Sequence, residues 1–219
     1  MKRTTLAAAA AALALGTAGL TTAPALFAQG APQVPGVKDP ARVAAGTYAL
    51  DANHTLVGWE VSHFGFNDYF GVFGNIKGTM TLDPANIAAT KVEVAVPIAD
   101  VSVASAGLKD HLLRAGKDGG APDFFGPTPG MATFTSTSVT KTGETTADIA
   151  GTLTMNGKSA PVTLKAEFVG AGANPFNKKE TAGFHARTTI DRTQWGINYA
   201  APFVGKDVTL TISAAFEKQ

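Results

Sequence analysis

The sequence predicts an all-β protein built from one antiparallel sheet, and three observations lead there. Apolar and polar residues alternate with period two in about eight separate runs, the mark of strands with one buried and one wet face. Clusters of Asn, Asp, Gly and Pro separate those runs at close spacing, as in sandwiches and barrels. A helical pattern is confined to 102–114, so the strand–helix alternation of a parallel sheet is missing.

The first run sets the pattern. Within Tyr48–Phe66, Val57, Trp59, Val61 and His63 share one parity, and Gly58, Glu60, Ser62 and Phe64 the other. Along Phe70–Leu82, the residues Ile76, Gly78, Met80 and Leu82 share a face. Lys91–Ile98 turns Val92, Val94, Val96 and Ile98 inward. Pro97 lacks an N–H donor, so this strand ends there or lies at an edge. In 102–114, Leu108 and Leu112 stand at i and i+4, and Ser105 is placed to cap the helix start. Residues 115–130 read as a Gly- and Pro-dense loop interrupted by Phe124-Phe125, either core plugs or a flap over a cavity mouth. Next come Met131–Thr140, centred on Phe134, and Thr146–Met155, alternating through Ile149, Gly151, Leu153 and Met155. Asn156-Gly157 is a hairpin signal, since a tight primed turn needs positive φ at both central residues. Val162, Leu164, Ala166 and Phe168 then face inward. Thr181–Ile190 places Phe184, Ala186 and Ile190 together, and Asp207–Phe216 does so for Val208, Leu210, Ile212, Ala214 and Phe216. Eight antiparallel strands can close into a barrel with room for one small ligand. Periodicity alone leaves barrel and sandwich both open.

Lys2 and Arg3, the apolar run 6–20 and the small residues before Gln29 form the order of a secretory signal peptide. Cleavage after Ala28 is expected, with Ala25 as the alternative, and a soluble periplasmic protein as the product. Residues 29–45, rich in Pro, Gly and Ala, read as a flexible leader, and 46–219 as the barrel domain. No later run is long enough for an integral membrane span. The chain has no cysteine, which removes disulfides, thiolate metal sites and cysteine nucleophiles. Taking Lys2 and Arg3 from its 18 basic residues leaves 16 against 17 acidic ones. Nucleic-acid binding has no support in that balance.

Chemical motifs are sparse. His54 and His63 lie nine residues apart with opposite parity, ~30 Å along an extended strand at ~3.3 Å per residue. Hydrogen-bonded structural histidines are therefore expected, with no metal, no cofactor and no catalytic residue. Asp51 before His54 reads as a turn aspartate rather than half of a catalytic pair. Arg192 has two readings, a lipid head-group contact or an ion pair that locks a loop.

Four blocks carry a family resemblance: Tyr48-Ala-Leu-Asp-Ala-Asn-His54 with Val61-Ser-His-Phe-Gly65; His111-Leu-Leu113 with Asp123-Phe-Phe125; Gly151–Gly157 with Pro161-Val-Thr-Leu164; and Gly183-Phe184 with Ile190-Asp-Arg192 and Trp195-Gly-Ile197. In this order and spacing the chain resembles the YceI family of exported, lipocalin-like proteins associated with polyisoprenoid lipids. Two departures stand out. Arg114–Pro122 adds residues inside the second block, and Gln194-Trp195 stands where the family often has an acid and Phe. The resemblance implies an all-β, eight-stranded antiparallel lipocalin-like barrel with one short helix in a long connection. It also implies an elongated apolar cavity and no catalytic machinery.

The resulting expectation is a periplasmic binding or carrier protein for an isoprenoid or other long-chain lipid, with a homodimer among the assemblies allowed. Two rivals are a His-dependent enzyme acting on a lipid-like substrate and a structural or stress protein with a filled barrel. The residues expected to meet the ligand are Val57, Trp59, Val61, His63, Ile76, Met80, Leu112, Phe124, Phe125, Phe134, Leu153, Phe168, Phe184, Arg192 and Trp195. Small residues at inward positions, Gly78, Gly151, Ala166, Ala186 and Ala214, are expected to open the cavity, unless they only relieve crowding.

Overall fold

The alternating runs fold as ten antiparallel strand segments: β1 (Gly46–Leu50), β2 (Leu56–His63), β3 (Asn67–Phe73), β4 (Lys77–Leu82), β5 (Lys91–Pro97), β6 (Met131–Lys141), β7 (Thr146–Met155), β8 (Lys158–Ala173), β9 (Glu180–Asp191) and β10 (Val204–Lys218). This computed structural model describes residues 33–219. The expected signal peptide, 1–28, and leader residues 29–32 lie outside the described residues.

Ten segments make an eight-stranded closed barrel. The ring runs β1-β4-β5-β6-β7-β8-β9-β10 and closes where β10 pairs with β1. β2 continues the line of β1 along β10: Phe216 faces Leu50, and Ser213 faces Leu56. β3 pairs with β2 as β4 pairs with β1, so the first two staves are each broken once. At the first break Asp51 N–H donates to Ala215 O at 2.8 Å. The Ala215 N–H, left without a strand partner, donates to the Thr55 hydroxyl at 3.2 Å. At the second break Asn75 takes a positive φ of 53°.

The single α-helix among the described residues, α1 (Ala106–Leu113), lies in the long β5–β6 connection. Ser105 caps it as its position predicts, accepting from Leu108 N–H at 3.3 Å. β5 ends at Pro97. The free edge of β3 is met by Ser102, which exchanges two backbone hydrogen bonds with Val72 at 2.9 and 2.8 Å. In the β7–β8 hairpin, Asn156 and Gly157 have φ of 50° and 69° and Met155 faces Lys158. That is the two-residue primed turn, whose twist matches the strands it joins.

β8 runs past its alternating part, from Lys158 to Ala173, and leader residues 35–43 pack beside that extension. Gly170 and Gly172 strip one face of β8 bare. A Cβ on Gly172 would sit 2.1 Å from Pro35 O. The leader lies in that space. Val37 exchanges backbone hydrogen bonds with Ala171 at 3.1 and 2.9 Å, and Lys38 pairs with Glu167. Asp39 caps a short 3₁₀ turn at Pro40–Arg42, and Val43 packs against the core. Two apolar clusters lie along the barrel interior. One gathers Ile98, Phe134, Met155, Val162, Ile190, Trp195 and Ile197. The other gathers Tyr48, Met80, Leu82, Val92, Phe168 and Phe216.

Candidate functional site

Between the two clusters the barrel encloses a cavity of about 280 Å³, near the small end of ligand pockets. Strand parity builds its wall. Val94, Val96, Ile149, Leu164, Leu210 and Ile212 line it. So do Val57, Ile76, Met80, Phe134, Leu153, Phe168 and Phe184 among the residues expected to meet a ligand. Burial of apolar area is what such a surface offers a guest, and it needs no polar motif to do so.

Small side chains give the cavity its width. Ala147, Ala166 and Ala186 stand directly beside one another on β7, β8 and β9. Ile212 on β10 and Val57 on β2 continue that level. All of them line the cavity, as does Ala214. Leu164, Ala166, Ala186, Ile212 and Ala214 are only half-buried although they line the interior. The two glycines behave otherwise. A Cβ on Gly151 would lie 2.4 Å from the Phe134 ring, and one on Gly78 would lie 2.5 Å from Glu93 O. Gly151 therefore makes room for Phe134, and Gly78 lets β5 approach. Both relieve crowding and add nothing to the cavity wall.

The mouth lies at the end carrying the β6–β7 hairpin and the leader. Pro40 and Val43, Pro84 and Ile87, and Lys141 with Glu144–Thr146 rim it. Lys141 and Glu144 are exposed and of opposite sign. Two buried hydroxyl side chains, Thr55 and Thr90, also belong to the lining.

The other end is closed. Trp195, 1% exposed, donates from Nε1 to Leu153 O at 3.0 Å. Phe124 and Phe125 pack on the same cluster, Phe125 edge-on to Phe73 at 6.3 Å between ring centres. Phe125 N–H donates to Leu112 O at 3.0 Å. Leu112, Phe124, Phe125 and Trp195 thus plug the barrel, and the flap reading of the two phenylalanines gives way. The inserted stretch 114–122 is tied down beside them. Asp123 accepts from Arg114 at 2.9 Å and lies 2.7 Å from His111 Nε2. Those bonds, Arg114 first, hold its carboxyl below the usual range.

Arg192 locks a loop, as its second reading has it, but through carbonyl oxygens in place of an acid. It is 5% exposed, forms no ion pair among the described residues and is not part of the cavity lining. Its guanidinium donates to Gly205 O at 2.8 Å, Ile197 O at 2.7 Å, Tyr199 O at 2.9 Å and Val204 O at 2.8 Å. Burial lowers its pKa, opposed by the charge of Asp191. It locks the 196–205 loop through carbonyl dipoles, which leaves no fork for a head group.

The remaining expected residues stand apart from the cavity. The Trp59 indole covers Gly71, where a Cβ would lie 2.2 Å from the ring, and stacks with Tyr69 at 6.3 Å. Its Nε1 is buried without a hydrogen-bond partner among the described residues. Val61 is half-buried opposite Tyr69. His63 is exposed at the strand end, edge-on to Phe64. His54 Nδ1 lies 2.6 Å from Asp51, which also accepts from Asn53 N–H as a turn aspartate does. His185 faces Glu167 across the β8–β9 ladder. Among the described residues no three His, Asp or Glu side chains converge as a metal site requires, and no helix is long and apolar enough to cross a membrane. Ala147, Thr55 and Thr90 escaped the sequence reading. Ala147 continues the parity of Ile149 and was legible; the threonines sit in a turn and ahead of a strand, where parity is silent.

The YceI-like domain profile matches residues 48–216. Protein YceI of Shigella flexneri is 35% identical over 198 residues, covering 89% of this chain and 93% of that protein. The crystal structure of Burkholderia cenocepacia BcnA superposes with a TM-score of 0.61 at 20% identity, over 76% of this chain and 98% of that one. A polyisoprenoid binding domain from Saccharophagus degradans, implicated in plant cell wall breakdown, has the same fold. Its TM-score is 0.55 at 12% identity, covering 78% and 98% of the two chains. On the profile, the curated relative and the barrel together, this chain belongs to the YceI family.

Proposed function

We propose that this chain is an exported binding or carrier protein that holds a long apolar lipid, a polyisoprenoid, in the barrel cavity. The observation that carries the reading is the cavity itself: about 280 Å³ with an almost wholly apolar wall, closed at one end by Trp195 and rimmed at the other by apolar residues with Lys141 and Glu144–Thr146 among them. A buried methylene contributes ~0.8 kcal/mol, so each five-carbon isoprene unit inside adds a few kcal/mol before the costs of association. The shared architecture of the Saccharophagus degradans polyisoprenoid binding domain supports the choice of ligand class. The Lys2-Arg3, apolar, small-residue order supports export to the periplasm. Binding, rather than catalysis, matches a site whose wall carries no histidine.

Mass spectrometry of organic extracts from protein purified from its native compartment tests the reading. An isoprenoid lipid recovered near one per chain, and taken up again by stripped protein, is the expected result. Absence of any lipid, with no uptake by the stripped protein, would overturn it and favour a structural role. Replacement of His54, His63 and His185 together leaves uptake unchanged on this reading; loss of a chemical turnover on the same variants would favour the enzyme.

A further inference from the structure

We propose that the closed end of the barrel docks on the surface of a phospholipid bilayer, with Phe64, Phe66, Tyr199 and Phe203 entering its head-group layer. The β2–β3 turn carries Phe64 and Phe66, and the 196–205 loop carries Tyr199 and Phe203. The two segments are joined. Phe64 N–H donates to Phe203 O at 2.8 Å, and their rings stack at 6.2 Å. Tyr199 meets Phe124 of the barrel plug at 5.5 Å between ring centres. Phe66 is 90% exposed, Phe203 67%, Phe64 50% and Tyr199 43%. At ~200 Å² per aromatic side chain they show water roughly 500 Å², the size at which an exposed apolar patch marks an interaction site.

Charge selects the occupant. Residues 61–67 and 196–205 contain no Asp, Glu, Lys or Arg. Among the described residues next to them, Asp68, Asp191 and Asp207 stand against Lys158, beside Gly196, and Lys206, already paired with Asp191 and Asp207. That balance gathers no anionic head groups, so a zwitterionic bilayer met through the rings is the surface that fits. The backbone suits it too. Phe66 N–H donates to His63 O at 3.1 Å, Ala201 N–H to Asn198 O at 3.2 Å and Val204 N–H to Ala200 O at 2.9 Å. Backbone groups satisfied within the protein cost less to take out of water. A second protein is the poorer match, because a stable interface takes about 800 Å² from each side, more than the patch offers. A bilayer asks for no matching contour. Docked this way, the cavity mouth at the other end opens away from the membrane, and the contact is independent of what the cavity holds.

The test uses full-length processed protein with vesicles of phosphatidylcholine, alone or mixed with phosphatidylglycerol, and reads binding by flotation. The variants are Phe66→Ser, Phe66→Leu and, at the opposite end, Phe176→Ser. Phe176 is 93% exposed in the β8–β9 hairpin and reports any general stickiness of exposed rings. The parent is expected to float with pure phosphatidylcholine vesicles, with no gain from phosphatidylglycerol and no loss in high salt. Phe66→Ser should weaken binding about tenfold, the lower end of what burying one phenylalanine side chain gives. Phe66→Leu should keep most of it, and Phe176→Ser should leave it unchanged. The denaturation midpoint of Phe66→Ser, and uptake of a soluble fluorescent lipid by its cavity, should match the parent's. No flotation of the parent, undiminished flotation of Phe66→Ser, or an equal loss in Phe176→Ser would overturn the inference. So would binding confined to phosphatidylglycerol vesicles and lost in salt. Concentration-dependent dimerisation of the parent, abolished by Phe66→Ser and without flotation, would show a second copy covering the patch and overturn it as well. Failure of the parent to take up lipid would overturn the lipid-binding reading and leave the docking surface standing.

Discussion

Ala186→Leu separates an open barrel from a filled one by the sign of its effect. Ala186 faces Ala166 on β8 and Ile212 on β10, and all three line the cavity. Leucine adds three carbons at that level. If they enter empty apolar space, transfer at ~0.8 kcal/mol per carbon gives up to ~2.4 kcal/mol of stabilisation. Fixing the new side chain removes ~0.5–1 kcal/mol of it as lost rotamer entropy, leaving about 1–2 kcal/mol. If the interior were packed, the same carbons would force strain and cost ~1–3 kcal/mol. Ligand affinity moves the other way. Three carbons of wall contact denied to the lipid weaken binding by about 2 kcal/mol, roughly thirtyfold. Urea denaturation of stripped parent and variant gives the first quantity, and displacement of a fluorescent lipid probe gives the second. Ala166→Leu should repeat both results, and because the two sites touch, the double variant should gain less than the sum. A fall in stability of ~1 kcal/mol or more in both single variants, with lipid affinity unchanged, would refute the cavity reasoning.

Other expectations concern the frame. Arg192→Leu leaves four loop carbonyls without their donor and should destabilise by roughly 3–5 kcal/mol, read by denaturation midpoint, with Arg192→Lys recovering part. Gly157→Ala places a Cβ on a φ of 69° in the β7–β8 turn and should cost about 1 kcal/mol, with lipid binding unchanged in a displacement assay. The Asp123 carboxyl is held low by Arg114 and then His111, so its contribution is present above its unfolded pKa and is lost as pH falls through the folded value. Below pH 3.8, the ordinary value, hydrogen exchange around α1 and residues 114–125 should accelerate, and Asp123→Asn should remove that pH dependence.

Legibility followed the physics of each element. Alternation located every stave, because a half-buried strand must alternate. The Asn156-Gly157 turn and the Ser105 cap were legible because their chemistry is local. The outer half of β8 was not, since Gly170 and Gly172 serve a backbone contact with residues 35–37 that only the fold brings near. Inward parity was necessary for lining the cavity and insufficient for it. Trp59, Val61 and His63 share the parity of Val57, yet they lie farther along β2, where His63 reaches Val204 at the start of β10, and leave the wall to Val57. Gly151 likewise has the right parity, and the Phe134 ring occupies the space. Parity names a face of the sheet; position along the barrel decides what that face meets.

The residues that look most like motifs and the residues that line the cavity are largely different sets, and the difference has a physical cause. His111, Asp123-Phe124-Phe125, Arg192 and Trp195 all lie at the closed end. Closing a barrel end means burying irregular backbone, whose carbonyls and N–H groups must all find partners. That demand selects particular side chains at particular places: a five-donor guanidinium for four carbonyls, an indole N–H for the Leu153 carbonyl, an Asp between a His and an Arg. An apolar lipid makes no such demand on the wall. Any set of aliphatic side chains of suitable volume serves it, so the wall is written only as alternation and residue size. Substitutions in the motif residues should therefore lower stability first and affinity only through it, whereas enlarging Ala166 or Ala186 should move affinity without lowering stability. Paired denaturation and binding measurements across the two sets decide the matter, and a motif residue that loses affinity at unchanged stability would break the division.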